Sequence, residues 1–110
     1  MRNEIEEIIM QLGAKRIKND TSKIALLELN HKHFAIPVGN KNSYNVYTED
    51  FMNKEQFINS CKKIYEPGNS SINSNIKAYP SRLQNNTRRY YYQFETLTDL
   101  KQFLIKYSES

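Results

Sequence analysis

The chain is predicted to be α+β: an antiparallel meander sheet in the order αβββα, long loop, β, α, with the helices packed on one face. Three patterns carry this. Apolar residues recur at helical spacing near the start, around residues 53 to 65 and at the end of the chain. Short runs rich in Ile, Val, Phe and Tyr, joined by turn-like stretches, stand between the first two helical segments. A polar 23-residue stretch, residues 66 to 88, then precedes one more aromatic run. At 110 residues these elements must share one core, so residues 1–110 form a single small domain.

The first helix is expected from Asn3, with Glu6 three residues on as a capping box and Gly13 as the stop. Glu4, Glu6 and Glu7 complement the positive N-terminal end of the helix dipole. Ile5, Ile8, Ile9 and Leu12 fall in one stripe, which is the core face. "KIALLEL" (23 to 29) is too apolar for a strand with one wet side, so it lies centrally and packs on both faces. "HFAIPV" (33 to 38) alternates Phe34, Ile36 and Val38 on one side, and Pro37 marks an edge or a strand end because it has no N–H for the ladder. The short "NHK" between these runs predicts a hairpin, Gly39 to Ser43 a second turn, and "YNVYT" (44 to 48) a third strand.

A second helix is expected from the N-cap Asn53, with Gln56 completing a box and Met52 with Phe57 at the spacing of a hydrophobic staple. Phe57, Ile58, Cys61, Ile64 and Tyr65 then share a core face, and Pro67-Gly68 ends the helix. Within the 66–88 loop, "NIKAY" has the composition of a short strand. A last strand from Arg89 to Glu95 leads to a third helix that opens on Thr96 and Asp99. Its face is Leu97, Leu100, Phe103, Leu104 and Tyr107.

The charge pattern directs the functional reading. Residues 1 to 66 carry ten Lys/Arg against nine Asp/Glu, and residues 95 to 110 carry two against three. The net charge of +4 therefore sits between Pro67 and Phe94, where Lys77, Arg82, Arg88 and Arg89 meet no acid. Such a segment attracts phosphates or acidic protein surfaces. Strand alternation assigns Tyr90, Tyr92 and Phe94 to the core and turns Arg89, Tyr91 and Gln93 the other way. An aromatic ring beside a guanidinium on an open sheet face is a surface on which unpaired bases stack. Tyr44 and Tyr47 lie on opposite faces of their strand, so one of them can join Tyr91. On this reading, replacing Tyr91 weakens binding and leaves stability nearly unchanged.

In the order of its first five elements, α-β-β-β-α over residues 1 to 65, the chain resembles double-stranded-RNA-binding domains and small toxins of similar shape. Those RNA-binding domains grip phosphates with a lysine cluster at the start of the second helix, where "NKEQF" offers Lys54 alone. The αβββαβ order is also similar to the core of many metal-dependent nucleases, which need two acids and an acid-x-lysine on neighbouring strands. Asp20 and Glu28 are the candidate acids, but Leu29-Asn30 follows Glu28 and Lys32 comes two residues late. His31 and His33, two residues apart, point to one side of a strand and could begin a metal site, with Glu28 as a further ligand. Cys61 is assigned to the core stripe. No glycine-rich phosphate loop or nucleophile elbow occurs, so no enzyme activity, metal or cofactor is expected.

The expectation is a non-enzymatic nucleic-acid-binding domain contacting DNA or RNA through Lys77, Arg82, Arg88, Arg89 and Tyr91. The alternative is a protein–protein interaction module, or a small phage or mobile-element inhibitor of a host protein, anchored by Tyr and Arg. The basic charge disfavours a DNA mimic. The N-terminus lacks the basic-then-apolar pattern of a signal peptide, and no apolar run reaches the roughly 20 residues of a membrane span. With its lone cysteine, the chain is expected in the cytoplasm and away from membranes.

Overall fold

The amphipathic N-terminal segment forms helix α1, Arg2–Leu12, which buries Ile5 and Ile8. It starts one residue before Asn3, so Asn3 stands in the first turn instead of capping it. Gly13 ends it at φ 78°, a left-handed conformation, with its N–H donating to the Ile9 carbonyl at 3.1 Å. The computed structural model describes residues 2–20, 23–39, 42–68, 83 and 87–110.

Strands β1 (Lys15–Arg16), β2 (Ile24–Leu29), β3 (Lys32–Pro37) and β4 (Tyr44–Glu49) form the expected antiparallel meander, with β1 an unforeseen two-residue edge. The β2–β3 loop is two residues long. Asn30 and His31 both have positive φ, at 51° and 67°, the geometry that lets a tight hairpin follow the twist of its strands. Pro37 is a strand end: β3 lies inside the sheet, and the ladder is carried on by the Val38 N–H, 2.9 Å from the Lys23 carbonyl.

The expected second helix is not formed. Lys54–Ser60 is a 3-10 helix, and Cys61–Tyr65 is a strand, β5. Asn53, at φ −90° and ψ 20°, lacks the extended backbone of an N-cap and makes no side-chain cap; the Gln56 amide donates to its carbonyl at 3.2 Å instead of accepting from its N–H. Met52 is 85% exposed, so there is no staple. Phe57 packs on the core, but Ile58 and Ile64 lie in water. The physical reason is pairing. Strand β6 (Arg89–Phe94) is flanked by β4 on one side, and a helix over 61–65 would leave the other ladder edge of this aromatic strand without partners; β5 supplies them. The sheet order is therefore β1-β2-β3-β4-β6-β5, a meander with its last sequential strand inserted before the edge. A register shift between Cys61 and Lys63 makes a bulge in β5.

Helix α2, Leu97–Glu109, begins as expected: the Thr96 hydroxyl accepts from the Asp99 N–H at 3.0 Å. It buries Leu100, Phe103, Leu104 and Tyr107 against the same sheet face as α1. Phe103 is the hub, with the rings of Tyr92, Phe57, Phe94 and Phe51 at 4.7, 4.8, 5.0 and 5.6 Å. The Tyr107 hydroxyl donates to the His33 carbonyl and accepts from the Glu49 N–H, pinning α2 to β3 and β4.

The face away from the helices is not bare. Ile24, Leu26, Ala35, Tyr65 and Leu83 form a second buried cluster, with Ile17, Tyr47 and Tyr91 packed against it. The apolar run of β2 is thus buried on both sides, as its composition predicts. No helix among the described residues is long and apolar enough to cross a membrane.

Candidate functional site

Strand β6 has the predicted faces. Tyr90, Tyr92 and Phe94 are buried on the helix side. What differs is the other face. Arg89 is fully buried, its guanidinium donating to the carbonyls of Thr87 at 2.9 Å and Glu66 at 3.1 Å and lying over the Tyr65 ring. Burial, partly offset by Tyr65, pulls its pKa below the ordinary arginine value. Arg89 therefore ties together the two ends of the β5–β6 connection and has no side chain left for a phosphate.

Tyr91 is half-buried. Its ring lies 4.5 Å from Tyr47, its cross-strand partner, and its hydroxyl accepts from the Asn45 side-chain amide at 2.6 Å. Tyr47 does join Tyr91, as the faces of β4 predict, but as part of the second cluster and not as an open platform for bases. Arg88 is the surface residue of the set: its side chain is 47% exposed and paired to Glu66 at 2.8 Å. Lys77, Arg82 and the "NIKAY" segment lie outside the described residues.

The structure gathers other residues at the β5 edge. The 3-10 helix turns back beside β5 and opens a groove of about 260 Å³ floored by Ile58, Cys61, Ile64, Tyr90 and Tyr92. Ile58 is 70% and Ile64 50% exposed there. At one end is a polar network: the Tyr90 hydroxyl meets Arg88 and Asp50, and Asp50 accepts from the Lys54 ammonium at 2.9 Å. Burial raises the Asp50 pKa, but the Lys54 hydrogen bond and charge outweigh it and hold the carboxyl below its usual range. Burial lifts the Cys61 thiol above the ordinary value, which keeps it in the unreactive protonated form. Lys62 and Lys63 are exposed along the strand, Lys63 reaching over the Tyr65 ring at 4.9 Å.

The histidines and acids named as candidate ligands lie on the turns and strands near the other end of the sheet, with His31 4.0 Å from Glu28. His31 stands in the hairpin turn and not on the strand, so it does not align with His33. Asp20 is held by Arg16 at 3.0 Å, away from any acid-x-lysine arrangement.

Ile58 and Ile64 were not legible as surface residues while 53 to 65 read as a helix. The indication available in the sequence was "KKIYE", a β-branched and an aromatic residue flanked by charge, as edge strands are spelled. Comparison of the chain with protein-family models, with curated proteins and with solved structures finds no match in any of the three.

Proposed function

We propose that this chain is a non-enzymatic protein-interaction module that receives an extended strand along β5. The observation that carries the reading is the coincidence of an open sheet edge with an apolar groove. Among the described residues nothing pairs with the outer side of β5, and Ile58 and Ile64 lie beside it with their apolar surface in water. An added strand gains main-chain hydrogen bonds from the edge, and a side chain in the groove supplies specificity. The test is capture from nuclease-treated lysate by the immobilised chain, with Ile58→Asp and Ile64→Lys run in parallel. Loss of the captured protein with both variants, each still folded by circular dichroism, is the expected result. Capture that both variants retain refutes the edge as the site.

Nucleic-acid binding is the second reading, favoured by the exposure of Arg88, Lys62 and Lys63 close to one another along β5 and the start of β6. Three phosphate contacts predict a slope of about −2 to −3 in log affinity against log salt. Fluorescence anisotropy with generic single- and double-stranded DNA and RNA at several salt concentrations measures it.

A further inference from the structure

We propose that the strand received by β5 is β5 of a second copy, antiparallel, with Ile64 opposite Ile64 across a two-fold axis; this rests on β5 being the interaction edge. Edge strands are usually blunted by lysines and bulges, and β5 has both: Lys62, Lys63 and the register shift beside them. These devices act against particular registers, so the self-pairings can be compared one by one. In a two-fold antiparallel pair, residues on one face must meet residues on the same face, which leaves only registers centred on a single residue.

Centring on Cys61 sets Lys62 and Lys63 against Ser60 and Asn59, which belong to the 3-10 helix and not to a strand; centring on Lys62 or on Lys63 sets like charges directly opposite one another. Centring on Tyr65 leaves Lys62 and Lys63 facing Gly68 and Pro67, and Pro67 has no N–H to donate. Centring on Ile64 places Lys62 opposite Glu66, Lys63 opposite Tyr65 and Ile64 opposite itself, each contact occurring twice. Neither lysine then faces a like charge, and Lys62 meets a carboxylate. Glu66 accepts from Arg88 through Oε1 at 2.8 Å, and its carboxylate is the counter-charge for the incoming Lys62 ammonium. Lys63 stays over its own Tyr65 ring, which is buried and also lies under the Arg89 guanidinium, and it faces no like charge in this register.

The same register brings the two Ile64 side chains together beside the grooves that contain Ile58, removing the exposed apolar surface from water. Two six-stranded sheets become one continuous antiparallel sheet. The pairing spans five residues per strand, at the small end of specific interfaces, so the dimer assembles from micromolar to near-millimolar protein.

Sedimentation velocity of the full chain across that concentration range tests this. The expected result is a monomer–dimer equilibrium that Ile64→Lys abolishes and Lys62→Glu weakens about tenfold, because two attractive pairs become two repulsive ones. Joining Lys62→Glu with Glu66→Lys restores dimerisation, a rescue that general destabilisation does not give. Circular dichroism and thermal melting confirm that each variant, altered at an exposed position, stays folded. A monomer at every concentration overturns the proposal, as does a dimer insensitive to Ile64→Lys or a double variant that fails to recover. A monomeric chain whose capture of a lysate protein still depends on Ile64 overturns self-pairing while keeping the interaction module.

Discussion

Asn45 and Tyr91, one diagonal step apart on β4 and β6, show how a polar contact constrains a surface first read as open. The Asn45 side chain is buried. Its amide nitrogen reaches the Tyr91 hydroxyl, while its oxygen has no hydrogen-bond partner among the described residues. Tyr91→Phe therefore strips Asn45 of its hydrogen bond and is expected to cost about 1–2 kcal/mol, since a buried polar group left unmade carries its full desolvation cost. Tyr91→Phe combined with Asn45→Leu removes both halves and is expected to recover most of that loss. Urea denaturation of the two single variants and the double variant measures the coupling, and a double variant no more stable than Tyr91→Phe alone refutes it. Replacing Tyr91 is thus expected to affect stability, because the ring is half-buried and hydrogen-bonded where the sequence reading expected an exposed stacking ring; the assignment of faces is unchanged. Alternation along a strand is local and legible; the neighbour above the ring is not.

At the scale of elements, helices α1 and α2 and strands β2, β3, β4 and β6 were legible because each carries a period and a boundary residue of its own. Gly13, Pro37 and Thr96 act where their chemistry requires. The hairpin at Asn30-His31 was also legible, but it is imperfectly spelled: a histidine at φ 67° takes a left-handed conformation that glycine adopts without steric cost. His31→Gly is expected to stabilise the fold by about 0.5–1 kcal/mol, seen as a rise of a few degrees in Tm. An unchanged or lowered Tm contradicts the turn geometry. The segment 53–65 was misread because Phe57, Ile58, Cys61, Ile64 and Tyr65 fit a helical stripe as well as they fit a turn and a strand. Only the unpaired edge of β6, invisible in the segment itself, decides between them. The proposed interaction surface was missed for the same reason, since its two isoleucines were assigned to the core.

For the whole molecule, the two sheet faces are unequal. The helix face is sealed by the aromatic hub on Phe103, and Phe103→Ala is expected to cost about 3–5 kcal/mol. The opposite face is held by the smaller cluster around Leu83, which belongs to the polar connection between β5 and β6. Leu83→Ala is expected to cost about 2–4 kcal/mol, a value that chemical denaturation reads directly; a cost below about 0.5 kcal/mol shows that this contact does not hold the connection to the sheet. By itself the sequence determined the α+β class, the amphipathic helices, the two-sided burial of β2 and the inward face of β6, because each follows from periodicity and turn chemistry within a few residues. Tertiary structure alone decided that 61–65 is an edge strand, that Arg89 is buried and that Leu83 and Tyr91 share a second core. Those outcomes depend on which backbone edge needs a partner and which face needs cover, and both are set by residues distant in the chain.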